Sequence, residues 1–361
     1  MLYEFFDLLA DKWSIFNVFR YVTFRSAIAA GTAFLICLLL GPWLIRFLQR
    51  VSFQQAIRDE GPASHQKKAG TPTMGGLLIL AAVLIPTLLW TNLANPFVWI
   101  QITATLGFGF VGFIDDYAKV SRRQNLGLKA KGKMGLLVIV SLGLGIWMLS
   151  QARMGHFLTE IYFPFFKNYH PDLKLFFVPF AILVLIGTSN AVNLTDGLDG
   201  LAIGSSGIAF AAYTVIAYVA SHFEIARYLD IPHIVLASEL TVYGAAMCGA
   251  SMGFLWHNAH PAEVFMGDTG ALALGGALGT MALLTGHPLL LVVVGGLFVM
   301  EALSVIIQVL SYRWRKQRVF RMAPLHHHFE LKGWHESKVI IRFWILALLF
   351  ALLAVSTFKL R

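Results

Sequence analysis

From Ala69 to Ile114 the chain carries no Asp, Glu, Lys or Arg, and from Thr269 to Met300 it again carries none. About 20 apolar residues suffice for one helix to cross the hydrocarbon layer of a bilayer, so each of these runs holds two crossings. The breaks are visible: Asn92 to Pro96 divides the first run, and Gly286-His287-Pro288 divides the second. The rest of the chain repeats the pattern in single lengths. Ten membrane spans are expected: Ser26 to Ile45, two between Lys68 and Asp115, Met134 to Ala152, Leu175 to Leu194, Gly200 to Phe223, Leu240 to His257, two from Thr269 onward with the second continuing past Glu301 to Tyr312, and Val339 to Phe358. The expected fold class is therefore all-α, a polytopic integral membrane protein forming one domain over residues 1–361. No small-residue cleavage site follows a short apolar core at the start, so the first span is read as retained.

Basic residues orient such a bundle, because Lys and Arg accumulate in cytoplasmic loops. The connections Arg46 to Thr73, Lys119 to Lys133 and Arg313 to Lys338 hold 18 of the 28 basic residues and fall on one side. The alternate connections hold few. This places the three basic loops inside and both termini outside. It also accounts for the formal net charge of +9: with no soluble domain to carry a basic patch, nucleic-acid binding is excluded as the reason. Cys37 and Cys248 both lie in apolar stretches, which argues against a disulfide framework or a thiolate metal site.

On that topology every unusual polar cluster falls on the cytoplasmic side, which implies one site built from several loops. Asp115 and Asp116 close the third span at a helix C-terminus, where the helix dipole disfavours negative charge. A bound cation or Lys119, one turn later, would compensate them, and Mg²⁺ suits such a place because it uses one or two carboxylates plus substrate phosphates. Asn190 to Gly200 packs amides, acids and glycines ahead of the sixth span; Asp196 or Asp199 there is a candidate helix cap or a nucleoside contact. Phe265-Met266-Gly267-Asp268 precedes the eighth span, with Asp268 a candidate cap or metal ligand at a phosphate-attracting helix start. The consecutive His326, His327 and His328 diverge too much for a zinc set, and they read as phosphate contacts or proton handlers. Glu301 and Gln308 share one face of the ninth span; a structural or groove-lining role is expected, with Gln308 near enough to the cytoplasmic end to reach the site.

The ordered set Thr71-Pro72-Thr73-Met74-Gly75-Gly76, Asp115-Asp116, Asn193 to Gly200 and Phe265 to Asp268 resembles the polyprenyl-phosphate N-acetylhexosamine-1-phosphate transferases over nearly the whole chain. Within that superfamily, Met322 to His328 is similar to the motif of the phospho-N-acetylmuramoyl-pentapeptide transferase family. The resemblance implies a Mg²⁺-dependent enzyme of peptidoglycan biosynthesis, a homodimer in the bacterial inner membrane with its site facing the cytoplasm. The implied reaction moves phospho-MurNAc-pentapeptide from UDP-MurNAc-pentapeptide to undecaprenyl phosphate, giving lipid I and UMP. It implies that Asp115, Asp116 and Asp268 form the catalytic and metal-binding centre and that His326 is required. Lys68, Asn190, Asp196, Gly197, Leu198, Asp199, Phe265 and Gln308 then line the nucleoside region, and Thr73, Lys119, Lys133, Asn193, Asn258, His327 and His328 complete the substrate contacts. A sister enzyme using UDP-GlcNAc and a transporter without chemistry are the rival readings. The triple-histidine loop argues against the first; against the second, Glu301 is the one candidate polar group at mid-membrane depth, while the acidic clusters line up on one face.

Overall fold

The computed structural model describes residues 1–51, 70–121, 127–157, 159–163 and 169–360. Among them regular structure is helical, with one isolated antiparallel bridge between Glu160 and Asp172. In chain order the α-helices are α1 (Leu2–Ala10), α2 (Val22–Arg50), α3 (Gly76–Trp90), α4 (Pro96–Ser121), α5 (Ala130–Arg153), α6 (Phe177–Thr195), α7 (Leu201–Ser221), α8 (Phe223–Leu229), α9 (Ser238–Asn258), α10 (Gly267–Leu284), α11 (Leu291–Val294), α12 (Gly296–Arg315), α13 (Leu325–Glu330) and α14 (Glu336–Ser356).

Eight of these are long and apolar enough to cross a membrane: α2, α4, α5, α6, α7, α9, α12 and α14. At the two other expected spans stand α3, with 15 residues, and α10, with 18. Several boundaries differ from the sequence reading. α4 runs past Asp115 and Asp116 to Ser121, because Lys119 returns positive charge one turn later and no Gly or Pro intervenes. α6 runs to Thr195, so Asn190 and Asn193 belong to its last turns rather than to a loop. The ninth span is interrupted, with α11 ending at Val294 and α12 beginning at Gly296. Before α2, α1 and a 3-10 turn (Ser14–Arg20) are joined by Arg20, which meets Asp7 at 2.7 Å and Asp11 at 2.6 Å. Those elements are too short to register as apolar runs.

The centre of the bundle is α10, whose residues from Thr269 to Leu284 are all buried. It packs on α4, α6, α3 and α7. Close packing without a hydrophobic gain between helices depends on small residues, and two glycines show the requirement directly. A Cβ on Gly76 would stand 2.1 Å from the Gly270 nitrogen, and one on Gly112 would stand 2.2 Å from the Asp268 carbonyl oxygen. α3 and α4 therefore touch the first turn of α10 through backbone. At the opposite end of the bundle, Arg25 of α2 grips Glu239 of α9 at 2.7 and 2.9 Å. Glu239 also accepts the Asn92 amide at 2.9 Å, which ties the α3–α4 turn to the pair.

Candidate active site at the start of α10

The loop that leads into α10 is held by the Thr71 to Gly76 segment. Phe265 N–H donates to Pro72 O at 2.8 Å, Gly75 N–H to Phe265 O at 2.9 Å, and Gly76 N–H to Met266 O at 2.9 Å. Through this short ladder the motif fixes the backbone from which Asp268 projects. Gly267 supplies the turn itself with φ 72°, and a Cβ there would meet Asp116 Oδ2 at 2.6 Å and Thr73 Oγ1 at 3.0 Å.

The carboxylates that gather here are chemically distinct. Asp116 accepts Asp268 N–H at 3.1 Å, Thr269 N–H at 2.9 Å and the Thr269 hydroxyl at 2.7 Å. It is thus the cap of α10, supplied from another helix. The expectation that Asp268 caps its own helix is corrected: no side chain of α10 makes that bond. Asp268 instead accepts Asn193 Nδ2 at 2.8 Å, Lys133 Nζ at 2.6 Å and Lys119 Nζ at 3.0 Å. Asp115 accepts Leu128 N–H at 2.8 Å and faces Lys119 Nζ at 2.7 Å. The Lys119 ammonium lies within 3.6 Å of Asp116 as well, so one cation is common to all three acids. Lys133 stands 3.8 Å from Asp115.

The three carboxylates each offer an oxygen within 4.8 Å of the others. An all-oxygen, anionic donor set of this kind fits a hard divalent cation such as Mg²⁺. Both oxygens of Asp116 accept from the start of α10, whereas Asp268 Oδ2 and Asp115 Oδ2 face the ammonium groups of Lys119 and Lys133, cations that a bound ion would replace.

Beside this cluster lies the turn after α6. Burial and the negative charges of Asp268, Asp116 and Asp199 push the Asp196 carboxyl up to about 8. Behind the turn stands α13. His326 is fully buried and its Nδ1 lies 3.2 Å from Glu301 Oε1 of α12, while Glu301 Oε2 accepts Leu325 N–H at 2.7 Å. The three histidines take separate polar partners, although the His326 and His327 rings touch edge to face with centroids 4.2 Å apart: His327 pairs with Glu330 at 2.8 Å, and His328 Nδ1 accepts Arg321 N–H at 3.1 Å. Burial and the positive charges of Lys332 and Arg321 hold the His328 imidazole below the ordinary histidine range, in keeping with an accepting nitrogen.

Comparison with known proteins gives a consistent result. The family model for glycosyl transferase family 4 matches residues 98–286, and the phospho-N-acetylmuramoyl-pentapeptide-transferase signature 1 matches residues 68–80. Curated phospho-N-acetylmuramoyl-pentapeptide-transferases are similar over the full length: that of Koribacter versatilis is 53% identical, covering 100% of this chain and 99% of its own. Those of Citrifermentans bemidjiense and Desulfatibacillum aliphaticivorans are 52% and 54% identical, each covering 100% of both chains. The chain belongs to the phospho-N-acetylmuramoyl-pentapeptide-transferase family.

Against the family expectation, the structure brings Asp115, Asp116, Asp268, Lys119, Lys133 and Asn193 into one hydrogen-bonded cluster, with Thr73 at its edge. Other residues expected at the transferase site are engaged by the fold itself. Asn190 Nδ2 donates to Ile186 O of its own helix at 2.9 Å. Asn258 bridges Gly200 N–H at 3.0 Å and Val264 O at 2.8 Å, joining the two site loops. Gln308 accepts Val319 and Phe320 N–H and donates to Phe320 O, which folds back the segment after α12. Leu198 is buried and Phe265 half-buried. Lys68 lies outside the described residues. Asp199 does not cap α7, whose first residue follows Gly200 at φ 80°; it is 4% exposed and accepts His260 Nδ1 at 3.1 Å and Ala262 N–H at 3.2 Å. Glu336, at the start of α14, accepts Asp199 N–H at 3.1 Å and lies 3.5 Å from His260. Sequence reasoning missed this latch of Asp199, His260 and Glu336, because its members come from three separate connections. The signals available were an acid opening an apolar span and a histidine in a connection already marked by Asp268.

Proposed function

We propose that this chain transfers phospho-N-acetylmuramoyl-pentapeptide from UDP-MurNAc-pentapeptide to undecaprenyl phosphate, producing lipid I and UMP for peptidoglycan synthesis. The observation that carries the reading is identity of 52–54% over the full length to curated relatives that bear the name of this activity. The acid and ammonium groups at the start of α10 are the chemistry such a transfer needs. Phosphoryl transfer is catalysed by positioning and by neutralising charge on the phosphoryl oxygens.

In this reading Asp268 and Asp115 would hold Mg²⁺, which would supply charge neutralisation for the donor diphosphate. Lys119 and Lys133 exchange their carboxylate partners for phosphate oxygens, and the start of α10 adds its oriented amides. Asp115 orients the lipid phosphate. An oxygen of that phosphate attacks the sugar-linked phosphorus, the bond from that phosphorus to the bridging oxygen breaks, and UMP leaves with the bridging oxygen. Asp116 acts by keeping α10 in place. Asp196, Gly197 and Leu198 with Asn193 and Phe265 receive the nucleoside, while His327 and His328 contact substrate phosphate or handle protons.

The same reading has the transferase as a single domain of ten spans in the bacterial inner membrane, a homodimer with both termini extracytoplasmic and the site open to the cytoplasm. The distribution of basic residues supports the sidedness. The test supplies radiolabelled UDP-MurNAc-pentapeptide or UDP-GlcNAc to the purified protein with undecaprenyl phosphate and separates the lipid products. Label entering lipid from the MurNAc donor alone is expected; label entering from UDP-GlcNAc instead would move the chain to the sister activity.

A further inference from the structure

We infer that Glu301 and His326 form a buried positioning pair that supports the Asp196–Gly200 turn from behind, through Gly197, and thereby sets affinity for the donor. Glu301 is 0% exposed, and so is His326. The carboxylate already accepts Leu325 N–H at 2.7 Å, so it meets His326 Nδ1 at 3.2 Å as a second acceptor. That geometry requires the proton of a neutral imidazole to sit on Nδ1, which leaves the lone pair on Nε2. Nε2 is buried and has no hydrogen-bond partner among the described residues. What it faces is Gly197: a Cβ there would stand 2.2 Å from Nε2, so only a glycine lets the ring close against the turn. A lone pair against a Cα–H face is a tolerable weak contact, whereas an N–H in the same place would be a buried donor with no acceptor. Glu301 therefore selects the tautomer that lets the turn pack down. The polar contact described for His326 is with Glu301, and none links it to Asp115, Asp116 or Asp268. The pair thus acts through the turn rather than on the reacting phosphates. The donor's identity in this inference rests on the transfer reading above; the pairing does not.

The experiment combines steady-state kinetics with the ¹⁵N spectrum of the histidine rings in the full chain in detergent, with the His326 signals assigned by loss in His326→Gln. The wild type is expected to carry its His326 proton on Nδ1. In Glu301→Gln the amide keeps Leu325 N–H as donor to its oxygen and turns its NH₂ toward Nδ1, which drives the ring proton to Nε2. The expected kinetic result is a KM for UDP-MurNAc-pentapeptide raised about tenfold, with kcat changed by less than about threefold and the KM for undecaprenyl phosphate unchanged. Gly197→Ala is expected to give the same split. A collapse of kcat at unchanged donor KM would overturn the inference, since it would put His326 on the reacting atoms. Unchanged kinetics in Glu301→Gln would overturn it too. If neither variant folds, the wild-type spectrum still decides, and a proton on Nε2 contradicts the pairing. A wild type with the expected ring spectrum but no turnover of this donor would count against the transfer reading and leave the pairing standing.

Discussion

Asp116 and Asp268 carry the same side chain a few ångströms apart and have opposite surroundings. Asp116 receives three hydrogen bonds from the second and third residues of α10; Asp268 receives none from its own helix and is matched by two ammonium groups. Loss of a helix cap costs about 1–2 kcal/mol. Asp116→Ala should therefore lower the melting temperature in detergent as well as activity, and equal melting temperatures for variant and wild type would remove the capping role. Asp196 gives a prediction with a definite sign. Its carboxyl is raised to about 8, so between the ordinary carboxylate range and that value the folded chain holds a proton that the unfolded chain has released. Stability is lost as pH rises through this window. Asp196→Asn should accordingly raise the melting temperature relative to wild type, by on the order of 2 °C, more at about pH 8.5 than at about pH 6. A pH-independent difference would contradict the shift. The capping role was beyond the reach of sequence reasoning, because the donor and acceptor lie 152 residues apart. Whether Asp268 caps its own helix could be decided only once the neighbouring helix was in place.

α10 is the element around which the site is arranged, and its glycine-mediated contacts explain why α3 and α4 deliver their motifs to its first turn. Gly112→Ala would force a methyl group onto the Asp268 carbonyl, separating α4 from α10 where Asp116 must reach across. Overpacking of this kind costs about 1–3 kcal/mol. The variant should show a lower melting temperature together with reduced turnover, and normal turnover in a destabilised protein would show that the Asp116 cap survives the separation. At this scale the helices were legible from uncharged runs, since hydrocarbon selects against charge along a whole crossing. Their ends were less so. Polar residues in the last turns of α4 and α6 look like loop in a sequence, yet they stay helical because their charge and hydrogen bonds are met either on neighbouring helices, as for Lys119 and Asn193, or by carbonyls of the same helix, as for Asn190 and Thr195. α1, α11 and α13 are too short to carry a period of their own, and they exist through packing.

Across the molecule, the acidic cluster, the Asp196–Gly200 turn and the triple-histidine helix meet at one end of the bundle, while the Arg25–Glu239 clamp closes the other. The sequence foresaw this convergence from charge alone: loops rich in Lys and Arg coincide with the polar motifs. What it left out were the joints between loops, such as the latch of Asp199, His260 and Glu336, which depend on which connections end up side by side. Sidedness is open to direct measurement. In intact cells an impermeant thiol reagent should label Lys174→Cys, while Lys129→Cys should label only after permeabilisation, both positions being exposed; the reverse pattern would invert the bundle. The most direct test of the whole account is release of UMP from UDP-MurNAc-pentapeptide in the presence of undecaprenyl phosphate, measured for the wild type and Asp268→Ala with and without Mg²⁺. The account predicts release by the wild type that requires Mg²⁺ and is absent from Asp268→Ala despite a folded, lipid-supplied sample. Turnover by Asp268→Ala close to that of the wild type would contradict it, because the reaction would then lie away from the start of α10.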